Sequence, residues 1–293
     1  MQTGDNSQEK LLSSMVVSAH TIEKGLTMPN KRNPFGEAKA KEILSACCSY
    51  IQKGYDIKES RFLDVVGIMQ EYRQYLIRGG NNCSQLDDYY STINNNVIPQ
   101  QQQLSQNYGV TREDFFSYSD ASFDLFSASR HSCRNLPGHV NDEALMRAVA
   151  LSMNAPSTCN RQSHRIHLLQ SPEAKKTILS IQGGNRGFGE LADQFILITS
   201  DLSCWSSGPS RNGPYVDGGI YLMNLLYCLH YERIGACTLN LYLDRIRTRK
   251  LHKGLSIPEN EVPVALIAIG IPPGKFDLAR SHRRNFSEVT SKH

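Results

Sequence analysis

The sequence predicts an α+β domain preceded by a helical region, and three observations carry that prediction. Apolar residues recur at helical spacing through most of the first hundred residues. From about Phe116 onward, strand-type apolar runs (RIHLLQ, FILITS, VPVALIAIG) are interspersed with helical patterns. Between the two regions lies a polar Asn/Gln tract, NNNVIPQQQQLSQN, at 94–107. The interspersion is not a clean βαβ repeat, which favours a layered α+β domain over a doubly wound sheet.

The first element is SQEKLLSSMVVSAHTIEKGL, with Leu11, Leu12, Met15, Val16 and Ala19 at helical intervals and Gly25 as a break. Pro29 and Pro34 enclose a polar loop. EAKAKEILSACCSYIQKGY gives a second helical pattern ending near Gly54, and a third runs from about Lys58 to Ile77 and stops at Gly79-Gly80. None of the three clusters catalytic groups. The 94–107 tract has the composition of a mobile linker, with a boundary expected between about residues 80 and 118. The expected organisation is therefore a helical N-terminal region, 1–115, and a second domain, 116–293.

In the second part, Asp142 to Met153 form an amphipathic helix. RIHLLQ reads as a strand, and Ser171-Pro172-Glu173 opens a short helix with proline at its first position. FILITS is a buried strand. DGGIYLMNLLYCLHYERIG is helical and apolar on most faces, so a central buried helix is expected. ACTLNLY is short and β-prone, and VPVALIAIG is a continuous strand-type run closed by Gly270.

With 293 residues, the chain is long enough for one or two domains of the usual size. Lys and Arg number 32 against 28 Asp and Glu, a net of +4, which gives no argument for nucleic acid or a membrane surface as partner. The excess sits in 116–293, the better place for an anion. No apolar stretch has the length of a membrane span, and the polar start MQTGDNSQEK is unlike a signal peptide. Eight cysteines form no CxxC pair and no zinc-ribbon spacing, so reduced, buried thiols in a cytoplasmic protein and no metal site are expected.

Four segments have the composition of a site. Arg130-His131-Ser132-Cys133-Arg134 places two guanidiniums and a hydroxyl within five residues. In an extended backbone Arg130, Ser132 and Arg134 share one side, which makes a phosphate clamp or else a solvated turn. Ala155-Pro156-Ser157-Thr158-Cys159-Asn160-Arg161-Gln162 combines a proline, hydroxyls and amides able to meet the mixed edge of a flat heterocycle, or it is a helix end turning into a strand. Gly183 to Gly189 is glycine-rich but lacks the order and the preceding strand of a dinucleotide fingerprint. Arg280-Ser281-His282-Arg283-Arg284 is a second basic cluster or a charged surface tail. His164 and His167 fall on opposite faces of a strand and make no zinc pair. GxSxG and GxxxxGK[ST] are both absent, which leaves serine-hydrolase and P-loop chemistry unsupported.

From about Phe116 to the C-terminus, these pieces in order resemble the nitroreductase family of flavoproteins. SRHSCR, APSTCNRQ, GNRGFG, RNGPYVDGG, LHYERIGACTLN and RSHRR carry the resemblance together. It implies a mixed sheet flanked by helices, an intertwined homodimer, and FMN at the dimer interface. It implies that Arg130, Ser132 and Arg134, with His131 beside them, hold the phosphate. Pro156, Ser157 and Thr158 lie against the flavin, Asn160 and Gln162 approach the ring and ribityl chain, and Asn185 meets the pyrimidine edge. Gly235-Ala236-Cys237-Thr238 run near flavin N5, and Ser281 and Arg283 make a C-terminal phosphate contact. One departure stands out: Ser163-His164 follow Gln162 where the family has proline and an aromatic, so a different substrate-pocket wall is expected. HTIEKGLTM at 20–28 together with RNGPYVDGG is similar to a subgroup associated with polysaccharide-biosynthesis regions. The activity implied is an FMN oxidoreductase passing electrons from NAD(P)H to a small organic acceptor in ping-pong order, with no protein nucleophile. The alternatives are a transferase or dehydrogenase acting on a sugar phosphate, and a flavin-binding scaffold without turnover.

Overall fold

The structure is a computed structural model that describes residues 7–97, 107–185, 187–205 and 211–293. The chain forms two compact units, one of residues 1–109 with 277–293 and the other of residues 110–276.

The first unit is helical: α1 (Ser7–Leu26), α2 (Glu37–Gln52), α3 (Ser60–Arg78) and α4 (Asp87–Asn96). Helix α1 buries Leu12, Met15, Ala19, Ile22 and Leu26, a stripe at three- and four-residue intervals, and packs on α2 and α3. Helix α2 also packs on α4. The core is dense in aromatics. Tyr50 stacks on Phe62 with centroids 4.5 Å apart, and the buried Tyr90 hydroxyl donates to the Met69 carbonyl at 2.8 Å. Glu59 caps α3 by accepting from the amides of Arg61 and Phe62. Helix α4 was not expected from the sequence. Its last turn takes in Asn94–Asn96 of the polar tract, where the Asn96 side-chain Nδ2 donates to the Thr92 carbonyl at 2.8 Å. Residues 98–106 of that tract lie outside the described residues.

The second unit contains β1 (Tyr108–Thr111, entered from the first unit), α5 (Arg112–Phe115), α6 (Phe123–Ser129), α7 (Asp142–Ser152), β2 (His164–Leu169) and α8 (Pro172–Ile181). It continues through β3 (Gln194–Asp201), α9 (Gly213–Tyr231), β4 (Gly235–Leu239), α10 (Arg245–Leu255), β5 (Glu261–Gly270) and β6 (Lys275–Leu278), which leads back out. Strands β2, β3, β5 and β4 form a four-stranded sheet in that order, and β1 and β6 form a separate two-stranded one. All three pairings of the larger sheet are antiparallel, a refinement of the mixed sheet that the resemblance implies. Caps mark the helix starts. Asn141 accepts from the Ala144 amide, Ser171 from the Ala174 amide with Pro172 in the first turn, and Asp244 from the Arg247 amide.

One sheet face meets α7 and α9. Ile196 and Ile198 of β3 and Ile267 and Ile269 of β5 alternate onto it and pack with Leu145, Ala148, Tyr221, Leu225 and Leu229. Helix α9, expected as a central buried helix, buries one side and exposes the other. Pro214, Asp217, Gly218, Tyr221, Leu225, Cys228 and Leu229 are buried, whereas Tyr215, Val216, Ile220, Met223 and Tyr231 are exposed apolar side chains. Among the described residues, no helix is long and apolar enough to cross a membrane.

Candidate functional site

The basic segment 130–134 leaves the end of α6 in extended conformation and is held from two sides. The Cys133 amide donates to the Ala236 carbonyl of β4 at 2.9 Å, and the Cys133 side chain is fully buried. Burial pushes its thiol up to about 12, so it stays protonated and inert. Arg130, Ser132 and Arg134 alternate with this buried residue and are half-buried. Glycines clear the way for the approach. A Cβ at Gly235 would meet Leu136 Cδ2 at 2.5 Å, and one at Gly270 would overlap the Leu136 carbonyl.

The other side is an aromatic nest around His230 of α9, which is 2% exposed. Its ring centroid lies 5.4 Å from those of Phe115 and Phe116 and 5.5 Å from that of Phe126. Its Nε2 is 2.9 Å from the Ser129 hydroxyl, and the His131 Nδ1–H donates to the Ser129 carbonyl at 3.0 Å. Burial above all, then the Arg130 charge and His131, pushes His230 down to about 4. The ring is therefore neutral at pH 7, and it ties the last residue of α6 to α9 without adding charge beside the arginines.

The 156–162 loop is built on backbone conformations that side chains disfavour. Cys159, Asn160 and Gln162 have φ of 51°, 55° and 48°, all in the left-handed region. Four hydrogen bonds over-determine it. Asp217 of α9 accepts the Thr158 amide at 2.9 Å and the Thr158 hydroxyl at 2.8 Å. Ser157 Oγ accepts the Gln162 amide at 3.0 Å, and the Gln162 side-chain amide donates to Asn160 Oδ1 at 3.0 Å. The loop thus brings Asn160 and Gln162 together at its exposed rim. Behind it, His164 stacks on Tyr221 at 4.0 Å, and Ser163 Oγ lies 2.9 Å from Ser200 Oγ. Burial is the main reason His164 is shifted below the usual histidine range. The Ser163-His164 departure therefore builds core contacts.

Strand β4 is the edge of its sheet. Its Ala236 carbonyl faces the 130–134 segment, so by alternation the Thr238 amide and carbonyl turn to that same edge. The Cys237 side chain is buried and that of Thr238 exposed. Asn185 serves the end of α8: its side-chain amide donates to the Gln182 carbonyl at 2.9 Å and the Leu179 carbonyl at 3.4 Å. Ser281 and Arg283 belong to the tail of the helical unit, where the Ser281 amide and hydroxyl donate to Glu23 at 2.8 and 3.2 Å. Pro156 is exposed on the loop.

Sequence reasoning passed over Asp217, His230 and Glu23. Each is a polar residue on an otherwise apolar helical stripe, and each is nearly inaccessible: 3%, 2% and 2% exposed. An ionisable group in a core position is retained for the partners it holds, so this break in the stripe was the available signal.

The fold is that of nitroreductase-like proteins. A nitroreductase family protein from Streptococcus pneumoniae aligns over 59% of this chain and all of its own, at 18% identity and a TM-score of 0.52. The enone reductase CLA-ER, from gut-bacterial fatty acid saturation, covers 59% of this chain and 99% of its own, at 19% identity and a TM-score of 0.52. A candidate nitroreductase in complex with FMN, from Exiguobacterium sibiricum, covers 59% and 98%, at 16% identity and a TM-score of 0.51. No family model matches the sequence, and no curated protein matches it.

Proposed function

We propose that this protein is an FMN-dependent oxidoreductase of the nitroreductase family that uses NAD(P)H to reduce a small organic acceptor. The observation that carries the reading is the Cys133–Ala236 hydrogen bond, which brings the Arg130–Arg134 segment beside the edge of β4. Two guanidiniums and a hydroxyl suit a phosphate dianion. The neighbouring strand edge offers the Thr238 amide and carbonyl, which suit the polar rim of a flat heterocycle. This donor set fits FMN, a phosphate joined to such a heterocycle.

In this reading Arg130, Ser132 and Arg134 hold the phosphate, with His131 fixing the turn through the Ser129 carbonyl. The Thr158 loop, locked by Asp217, presents Pro156, Ser157, Asn160 and Gln162 to the flavin. Cys237 and Thr238 back the ring, and Asn185 supplies an acceptor for its edge. Ser281 and Arg283 are assigned to the phosphate by the family resemblance alone. FMN held by these residues would supply the redox chemistry between NAD(P)H and the acceptor, in ping-pong order. The protein's part is to bind, orient and exclude water, and no side chain is assigned as nucleophile or general acid.

The same reading makes the protein a homodimer. The exposed apolar row on α9 supports this, because a contiguous apolar face on a soluble chain marks an interaction surface. The test is equilibrium titration of apoprotein with FMN and with riboflavin, which lacks the phosphate. Tighter binding of FMN, followed by its reduction on adding NADH or NADPH, supports the proposal. Equal binding of the two, or of neither, removes the phosphate clamp.

A further inference from the structure

Helix α9 ends on a residue that its backbone does not favour. The Ile234 amide donates to the Leu229 carbonyl at 2.8 Å, and the Arg233 amide to the His230 carbonyl at 3.0 Å. This pair of bonds closes a helix through a turning residue that is usually glycine, because that residue must adopt a left-handed backbone. Here the turning residue is Arg233, with φ of +58°. Ile234 and Leu229 are both buried in the core, which holds the turn in place.

Arg233 is exposed and lines a cavity of about 380 Å³ that lies wholly within the second unit. That volume falls in the range of small-molecule sites. The cavity wall is apolar where Phe116 follows α5, where Ala144 sits in the first turn of α7, and at Ile234 and Ile271. Phe116 and Ile234 are buried, and the Phe116 ring also belongs to the nest around His230. Gly138 and Ile271 exchange backbone hydrogen bonds at 2.9 and 2.8 Å, which fixes the Ile271 wall against the segment that leads into α7.

The charges around this cavity are unevenly matched. Glu232 accepts from Arg147 at 3.1 and 2.9 Å. His139 Nδ1 lies 3.2 Å from Asp193, which also accepts the Val140 amide at 3.0 Å. Glu113 lies 3.6 Å from Arg112, too far for a hydrogen bond, and its side chain is exposed. Among the described residues, no carboxylate lies within ion-pair distance of Arg233. A lone arginine is ordinary on a surface. An arginine kept where the backbone favours glycine, beside an apolar cavity, calls for a ligand.

We propose that this cavity binds a small organic carboxylate with an apolar body. Arg233 and Arg112 receive the carboxylate, and Phe116, Ile234 and Ile271 receive the body. A guanidinium presents the planar pair of donors that a carboxylate accepts. The apolar wall favours a hydrocarbon body over a hydrated inorganic ion. None of these residues is assigned to FMN, so this site and the flavin reading stand or fall separately.

The test is isothermal titration of the full-length protein with octanoate, and with octanamide as its neutral counterpart. It compares wild type, Arg233→Gly, Arg112→Ala and Arg130→Ala, with denaturant unfolding in parallel. Wild type should bind octanoate, and bind octanamide at least about tenfold more weakly, the effect of one charge-assisted hydrogen bond. Arg233→Gly should weaken octanoate by a similar factor while its unfolding midpoint holds or rises, because glycine suits the left-handed turn. Arg112→Ala should weaken octanoate too, and Arg130→Ala should leave it unchanged. Equal binding of octanoate and octanamide would overturn the proposal, since no guanidinium would then be reading the charge. Octanoate binding that is lost in Arg130→Ala and kept in Arg233→Gly would overturn it by placing the anion on the 130–134 segment. No octanoate binding at millimolar concentration would overturn it outright. Should Arg233→Gly not fold, Arg233→Asn, which also tolerates the left-handed turn, decides by the same affinity criteria.

Discussion

Asp217 of α9 receives both the amide and the hydroxyl of Thr158, at 2.9 and 2.8 Å, and so holds the end of a loop with three left-handed side-chain-bearing residues. A buried carboxylate with two donors converts a disfavoured backbone path into a fixed one. Asp217→Ala should destabilise the protein by about 1.5–3 kcal/mol, the range for hydrogen bonds to a charged group. It should also raise amide exchange across residues 157–162. Denaturant unfolding and exchange mass spectrometry check both. A stability loss with an unchanged loop would show that Asp217 serves the core instead.

Arg130→Ala and Arg134→Ala should each weaken FMN binding by about 1.5–3 kcal/mol, because each removes a charge-assisted contact. The unfolding midpoint should move less, since neither side chain is in the core. Titration of apoprotein decides this, and unchanged affinity in both variants would move the phosphate elsewhere.

His230 predicts a pH dependence of stability with a definite sign. Its folded pKa, about 4, lies below the ordinary value of 6.5. Above pH 6.5 the ring is neutral in folded and unfolded chains, and its full contribution is present. As pH falls from 6.5 to about 4, the unfolded chain takes a proton that the folded chain refuses, so stability declines, by up to about 3 kcal/mol. Below pH 4 this contribution levels off. Urea midpoints measured across pH 4–7 should show the decline, and His230→Asn should flatten it.

The exposed face of α9 predicts self-association. Tyr215 and Val216 are 52% and 56% exposed, with Ile220 about one turn and Met223 about two turns further on. Sedimentation equilibrium should give a dimer mass for the wild type and a smaller mass for Val216→Asp or Ile220→Asp, because a desolvated charge opposes burial of the face. A wild-type monomer that binds FMN and oxidises NAD(P)H would contradict a site shared between two copies.

Much of the fold was legible because it is written in local periodicity. The stripe of α1, the Ser171-Pro172 start of α8 and the uninterrupted apolar runs of β3 and β5 each declare themselves within ten to twenty residues. Helix α4 escaped because DDYYSTINNN is polar and anchors only Tyr90 and Ile93 in the core. The burial of α9 was overestimated because an apolar residue has the same appearance on a core face and on an outer one. Candidate residues with distinctive chemistry, such as Arg130, Asn160 and Gln162, stand out in the sequence. The residues that position them do not, because Asp217 reaches back 59 positions to Thr158 and Glu23 reaches 258 positions forward to Ser281. Only the folded chain joins such pairs.

The central claim is that the Arg130–Arg134 segment and the β4 edge form an FMN site, and the flavin content of the purified full-length protein tests it most directly. The expected result is a yellow protein that releases FMN on denaturation, identified by mass spectrometry, and whose flavin bands bleach on adding NADH or NADPH. Release of FAD, or no flavin even after reconstitution with FMN, would contradict it.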